Sequence, residues 1–238
     1  MAVLIGSARI DENGRTKGGR AGDQNGREVS TQRWYLHPKG WVVLRAKECG
    51  AREKIALCME RACANRNIGY DQMQRTSLYK ACTDMGTFDA GHIDIPCETD
   101  CSTLVRVCCA YAGIAAKNFT TETEVSALLA TGAFRLLEEG AFTGTQRLLL
   151  CGDILVTRTK GHTAVALSNG RGLRMGDRGR DVLYMQKALL SMGYSLGICG
   201  ADGIFGRKTR SAVGRFRKDR GLAAGSEFAA EMEEMLYA

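Results

Sequence analysis

The 238-residue chain predicts an α+β fold, with helices packed on a mostly antiparallel sheet, followed by a small three-helix domain. Two groups of strand-like segments flank a block of helical periodicity, the pattern of the first domain. Beyond Asn169-Gly170-Arg171-Gly172, short helical stripes alternate with glycine turns, the pattern of the second. The predicted division is 1–171 and 172–238.

Residues 2–10 are apolar-rich and read as a strand. The glycine-dense stretch after them, Asp11-Glu12-Asn13-Gly14 and then Gly18 to Gly26, must be loop. Residues 28–36 and 40–45, with Trp34, Tyr35, Trp41, Val42, Val43 and Leu44, read as two strands joined by the turn His37-Pro38-Lys39-Gly40. Ile55, Ala56, Met59, Ala62 and Cys63 recur at helical spacing within 51–66, and a second helix is predicted over 74–85. Asp100 can cap a third, whose Leu104, Val105, Val107, Cys108 and Tyr111 make a buried stripe before Gly113 stops it. A short helix over 121–131 precedes strands over 153–158 and 162–167, joined by Thr159-Lys160-Gly161. In the second domain, Val182, Leu183, Gln186, Leu189 and Leu190 form one helical face. Thr209, Ala212, Val213 and Phe216 form another, and Phe228, Met232, Met235 and Leu236 a third.

Composition narrows the function. A net charge of +7 favours anionic surfaces without selecting one, and no recognition-helix or stacking-sheet motif accompanies it, so nucleic acid is not an expected partner. No run of about twenty apolar residues exists, so no membrane insertion is expected. The start, Met1 to Arg9, has neither a basic leader nor an export-length apolar run, so synthesis in the cytoplasm without a signal peptide is expected. Ten cysteines in such a chain read as reduced thiols, with Cys58, Cys63, Cys82, Cys108 and Cys109 as small buried residues. Zinc is the sharper alternative. The spacing of Cys97, Cys101, Cys108 and Cys109 with His37, His92 and His162 completes no ligand set, so no metal or other cofactor is expected.

The chemistry concentrates in two places. Cys101 opens a helix in Thr99-Asp100-Cys101-Ser102-Thr103, where the peptide dipoles favour thiolate. His162 opens a strand in Gly161-His162-Thr163-Ala164-Val165, where it can take that proton and return it. His37 and His92 read as plain surface residues.

The Asp-Cys-Ser helix start and the Gly152-Asp153-Ile154-Leu155-Val156 and Gly161-to-Val165 strand pair resemble the NlpC/P60 and CHAP-like cysteine peptidases of the papain-like superfamily, which cut bacterial peptidoglycan. Met175-Gly176-Asp177-Arg178-Gly179-Arg180-Asp181-Val182 with Ala201-Asp202-Gly203-Ile204-Phe205-Gly206 resembles the peptidoglycan-binding type 1 domain. The run Gly22-Asp23-Gln24-Asn25-Gly26-Arg27-Glu28-Val29 with Trp34-Tyr35 resembles a segment of some phage-type hydrolases. The resemblance implies a papain-like fold and peptidoglycan as partner, reached after lysis or leaderless release. It also implies thioester chemistry by Cys101 and His162, and substrate contacts from Tyr70, Asp100, Ser102, Asp23 and Gln24. Asp100 as a mere cap and Tyr70 as a core aromatic stand beside those roles.

In the usual family a strand after the histidine supplies the group that orients the imidazole. Here the chain enters the second domain almost at once, and Asn169 lies about 23 Å along an extended strand from His162. A circular permutation is therefore expected, in which an N-terminal strand lies beside the His162 strand and Ser7 orients the ring, with Asp11, Glu12 and Asp23 in reserve. The implied activity is a γ-D-glutamyl-diamino acid endopeptidase. An N-acetylmuramoyl-L-alanine amidase and a non-catalytic wall binder are the alternatives.

Overall fold

The structure is a computed structural model and describes residues 2–236; positions 1, 237 and 238, the outer limits of the two expected domains, lie outside the described residues. The chain forms two compact units, Val3–Leu137 with Cys151–Ser168, and Glu138–Leu150 with the chain from Asn169 onward.

The first unit opens with β1 (Leu4–Ala8), β2 (Val29–Arg33) and β3 (Trp41–Ala46), then α1 (Cys49–Ala64) and β4 (Ile68–Tyr70). It continues with α2 (Ser77–Asp84), β5 (Cys97–Thr99), α3 (Cys101–Tyr111), α4 (Glu124–Leu129) and β6 (Phe134–Leu137). After α5 (Gly140–Thr143), which belongs to the other unit, the first unit closes with β7 (Ile154–Thr157) and β8 (Thr163–Ala166). Six strands form one sheet in the order β2-β1-β8-β7-β3-β6, with every pairing antiparallel. The expected mixed α+β architecture with an antiparallel sheet is present.

Three local readings change. The turn at His37 joins β2 and β3 in sequence, but the two strands do not pair: β1, β8 and β7 lie between them. β2 returns along β1, whereas β3 pairs with the distant β7 and β6. The parallel pair β4 and β5, with Tyr70 opposite Thr99, is invisible to alternation because each strand has only three residues. β6, at the sheet edge, was also not anticipated.

Strand alternation builds the core. Val42, Leu44, Ala46, Ile154, Val156 and Val165 face Ile55, Cys58, Met59 and Ala62 of α1 and Leu104, Val105 and Cys108 of α3 in one buried cluster. Gly6 permits the contact of β1 with α1: a Cβ there would stand 2.6 Å from Met59 Cγ. The fully buried Arg45 on β3 pairs with Asp153 at the mouth of β7, Nε to Oδ1 at 2.8 Å and Nη2 to Oδ2 at 2.6 Å.

In the second unit, α6 (Arg180–Ser191) and α7 (Arg207–Asp219) match the predicted helical faces. The third element is a 3-10 helix, Ala230–Leu236, and Phe228 precedes it, bridging to Leu173 as an extended residue. α5 joins this unit through Phe142, whose ring meets Tyr184 edge-on at 5.1 Å. Gln186 explains the Asp202-Gly203-Ile204 motif. Its buried amide oxygen accepts from Gly203 N at 2.7 Å, and its Nε2 lies 2.9 Å from Asp202 Oδ1 and 3.0 Å from the Ile204 carbonyl.

Candidate functional site

Cys101 stands at the junction of β5 and α3. Asp100 caps that helix, accepting from Thr103 N at 2.7 Å, so the extended β5 turns directly into helix at the cysteine. α3 packs against β8, and the backbone amides of Thr163 and Ser102 donate toward the Cys101 sulfur. Thr163 follows His162 in the chain, so the pairing of α3 with β8 brings the cysteine to the strand that begins at the histidine.

The imidazole is oriented from β1. Ser7 Oγ lies 3.3 Å from His162 Nε2, and β1 pairs with β8 through Gly6 opposite Val165. The His162 backbone is pinned to β7: its N–H donates to Thr157 Oγ1 at 2.9 Å and its carbonyl accepts from Thr157 N at 3.0 Å. Trp41 flanks the ring, with centroids 6.4 Å apart. The N-terminal strand thus sits where the permutation argument puts it. The three reserve carboxylates are committed elsewhere: Asp11 Oδ1 accepts from Asn13 N and Arg15 N, Glu12 from Arg20 N, and Asp23 Oδ1 from Asn25 N and Gly26 N.

The expected resting thiolate is not what the environment favours. Burial first, and then Asp100, pushes the Cys101 thiol well above its ordinary value, outweighing the amides that favour the anion. Burial likewise pulls His162 down to about 4, helped by His37 and Arg9. The pair rests as neutral thiol and neutral imidazole.

Tyr70 reaches this neighbourhood because β4 lies against β5. Its phenol is driven up to about 12, by burial first and then by Cys101, and so stays protonated; Gln72 Nε2 donates to it at 3.0 Å. Asp100 and Ser102, expected to hold a free amine, are both bound by Arg75. Arg75 Nε donates to Asp100 Oδ2 at 2.6 Å and Arg75 Nη2 to Ser102 Oγ at 2.9 Å, so the carboxylate already has its cation. Asp23 is buried and Gln24 is exposed. Gln24 Nε2 donates to the Ala21 and Gly22 carbonyls, and Gln24 N to Glu28 Oε1, whose Oε2 accepts from Tyr70 N at 3.1 Å. Their loop therefore buttresses β4 through Glu28. Gly69 makes this possible, since a Cβ there would lie 2.4 Å from the Gly22 carbonyl oxygen.

Four neighbours escaped the sequence reading: Arg75, His37, Thr163 and Glu124. His37 is half-buried, with its ring 5.1 Å from that of Trp41, and it is not a plain surface residue. His92 is largely exposed beside Asp89. Alternation marks Thr163 as inward-facing, but nothing in the sequence distinguishes Glu124 from any acidic first-turn residue. Among the described residues, no group of three or more histidine, cysteine or acidic side chains is arranged to hold a metal ion.

Residues 5–173 match the endolysin-like domain family, a span that holds Cys101, His162 and Ser7. The chain belongs to that family. Residues 178–224 of this endolysin-like protein match a peptidoglycan binding domain. The two matched segments part between 173 and 178, whereas the contacts within the structure also gather Glu138–Leu150 into the second unit. A curated relative, the type VI secretion system spike protein VgrG3 of Vibrio cholerae serotype O1, is 44% identical over 45 residues, 19% of this chain and 4% of that protein. The chain thus spans a small fraction of that relative. No solved structure matches. No helix among the described residues is long and apolar enough to cross a membrane.

Proposed function

We propose that the protein is a peptidoglycan hydrolase of NlpC/P60-like, papain-like type that cleaves stem peptides through a Cys101 thioester, as a γ-D-glutamyl-diamino acid endopeptidase. The observation that carries this reading is the convergence of three segments distant in sequence: the α3 start with Cys101, the β8 start with His162, and Ser7 at 3.3 Å from the imidazole.

With Ser7 at Nε2, Nδ1 is the nitrogen left to exchange a proton with the thiol. That requires the tautomer with hydrogen on Nε2, donated to Ser7 Oγ. Because both partners rest neutral, His162 acts as general base during attack: the sulfur bonds to the amide carbon as its proton passes to Nδ1. The imidazolium then protonates the leaving amine, giving the thioester, and neutral His162 next activates the water that hydrolyses it. The Cys101 backbone N–H at the start of α3 and the protonated Tyr70 hydroxyl are the donors proposed for the oxyanion. Asp100, Ser102 and Arg75 hold the helix start in place, and the second domain retains the enzyme on the wall.

The test is digestion of purified sacculi with fragments identified by mass. New free amino ends on the diamino acid are expected. Release of intact stem peptides from muramic acid would establish the amidase instead, and binding without any release would establish a wall binder.

A further inference from the structure

Glu124 opens α4 with 0% of its surface exposed and no salt bridge to any described residue. Its Oε2 is buried with no hydrogen-bond partner, while Oε1 lies 2.8 Å from Thr163 Oγ1. The same hydroxyl lies 3.0 Å from the Leu155 carbonyl oxygen on β7. A hydroxyl has one proton and cannot donate fully to two acceptors. If it donates to Leu155, Thr163 Oγ1 can only accept from Glu124, which must then carry a proton. The opposite assignment leaves an ionised carboxylate in an apolar site with one hydrogen bond and no cation, an arrangement that costs several kcal/mol.

We propose that Glu124 is a neutral carboxylic acid whose O–H holds the Thr163 side chain, and through it sets the Thr163 backbone amide on the Cys101 sulfur. It is a positioning residue for the reaction, an inference that rests on the assignment of Cys101 as nucleophile. The titratable groups facing it are Asp100, Cys101 and Cys109, all on or capping α3. Burial pushes its carboxyl well above the usual range, in agreement with the hydrogen-bond count. Neutrality has a purpose at this place: an anion at Glu124 would oppose formation of the thiolate, whereas the acid fixes β8 without that penalty.

The experiment compares the full-length protein with Glu124→Gln, Glu124→Ala and Thr163→Val. It measures Cys101 alkylation by iodoacetamide at neutral pH, located by mass, the infrared carbonyl band of protonated carboxyls, and sacculus hydrolysis. Expected are an alkylation rate in Glu124→Gln within about twofold of wild type, because no charge is removed, and loss in that variant of one protonated-carboxyl band. Hydrolysis should persist in Glu124→Gln and fall at least about tenfold in Glu124→Ala and Thr163→Val, in kcat rather than KM. An alkylation rate raised about tenfold in Glu124→Gln, or no band lost, would overturn the neutral state. Wild-type hydrolysis in Thr163→Val would overturn the positioning role, and this variant decides even if Glu124→Ala does not fold. Inactivity of the wild type with the alkylation and infrared results as expected would sink the hydrolase reading and leave the protonated Glu124 standing.

Discussion

At the scale of single residues, the site is governed by burial more than by the helix dipole. Half a charge at a helix start stabilises an exposed anion by up to about 1 kcal/mol, and withdrawing a sulfur from water costs more. The neutral pair has a consequence in pH. His162 keeps its lone pair down to about pH 4, so the acidic limb of kcat/KM for small stem-peptide substrates is expected near 4 rather than near the ordinary histidine value of 6.5. A limb near 6.5 would show that the ring is solvated as substrate binds. Ser7 is an uncharged orienter, and a neutral hydrogen bond contributes about 1 kcal/mol. Ser7→Ala should therefore lower kcat/KM by roughly tenfold with little change in thermal stability, a far smaller effect than loss of His162 itself. The sequence made the placement of Cys101 at a helix start, His162 at a strand mouth and Ser7 beside it legible, because helix-start, strand-start and missing-orienter arguments are all local or topological. It hid the employment of Asp100 and Ser102, because their partner Arg75 comes from a segment with no periodic signal.

At the scale of elements, the β4–β5 pair is the mount for Tyr70 and Cys101, and the glycine-rich loop stabilises it from behind. Glu98 sits at the centre, 2% exposed and with both carboxyl oxygens lacking partners, among Glu28, Asp71, Glu12 and Asp11. Burial first and these carboxylates second lift it from 4.5 to about 8. Between those values the folded state keeps a proton that the unfolded chain releases, so this group's contribution is most favourable below pH 4.5 and is lost as pH rises to 8. The slope is roughly 1 kcal/mol per pH unit. Glu98→Gln should match wild type in Tm near pH 4 and exceed it near pH 8; equal Tm values throughout would mean the site is solvated. Gln186 plays the corresponding part in the second unit, holding the Asp202-to-Ile204 turn. Gln186→Leu strands those polar groups and should destabilise that domain by about 2 kcal/mol, read as a lowered transition in calorimetry with reduced sacculus binding. Long periodic elements, α1, α3, α6 and α7, were legible within a few residues. β4, β5 and the 3-10 geometry of Ala230–Leu236 were not, because such short elements owe their geometry to neighbours rather than to their own pattern.

At the scale of the whole molecule, the sheet order explains how an N-terminal strand comes to lie beside His162. β1 inserts between β2 and β8, and so Ser7 meets an imidazole 155 residues further along the chain. The buried Arg45–Asp153 pair ties β3 to the start of β7 in the same sheet. Asp153→Ala takes a bidentate carboxylate from a fully buried guanidinium and should cost about 3–5 kcal/mol in chemical unfolding of the first unit. The existence of β1, β2, β3, β7 and β8 was readable from alternation, but strand order was not. The exception was the neighbour of β8, reached by asking which segment could orient His162.

The most direct measurement is sacculus lysis by Cys101→Ala beside wild type, with binding to the same sacculi followed by sedimentation. Lysis should disappear while binding persists, in line with the proposed roles of the Cys101 sulfur as nucleophile and of the second domain as the hold on the wall. Undiminished lysis by Cys101→Ala would contradict the account.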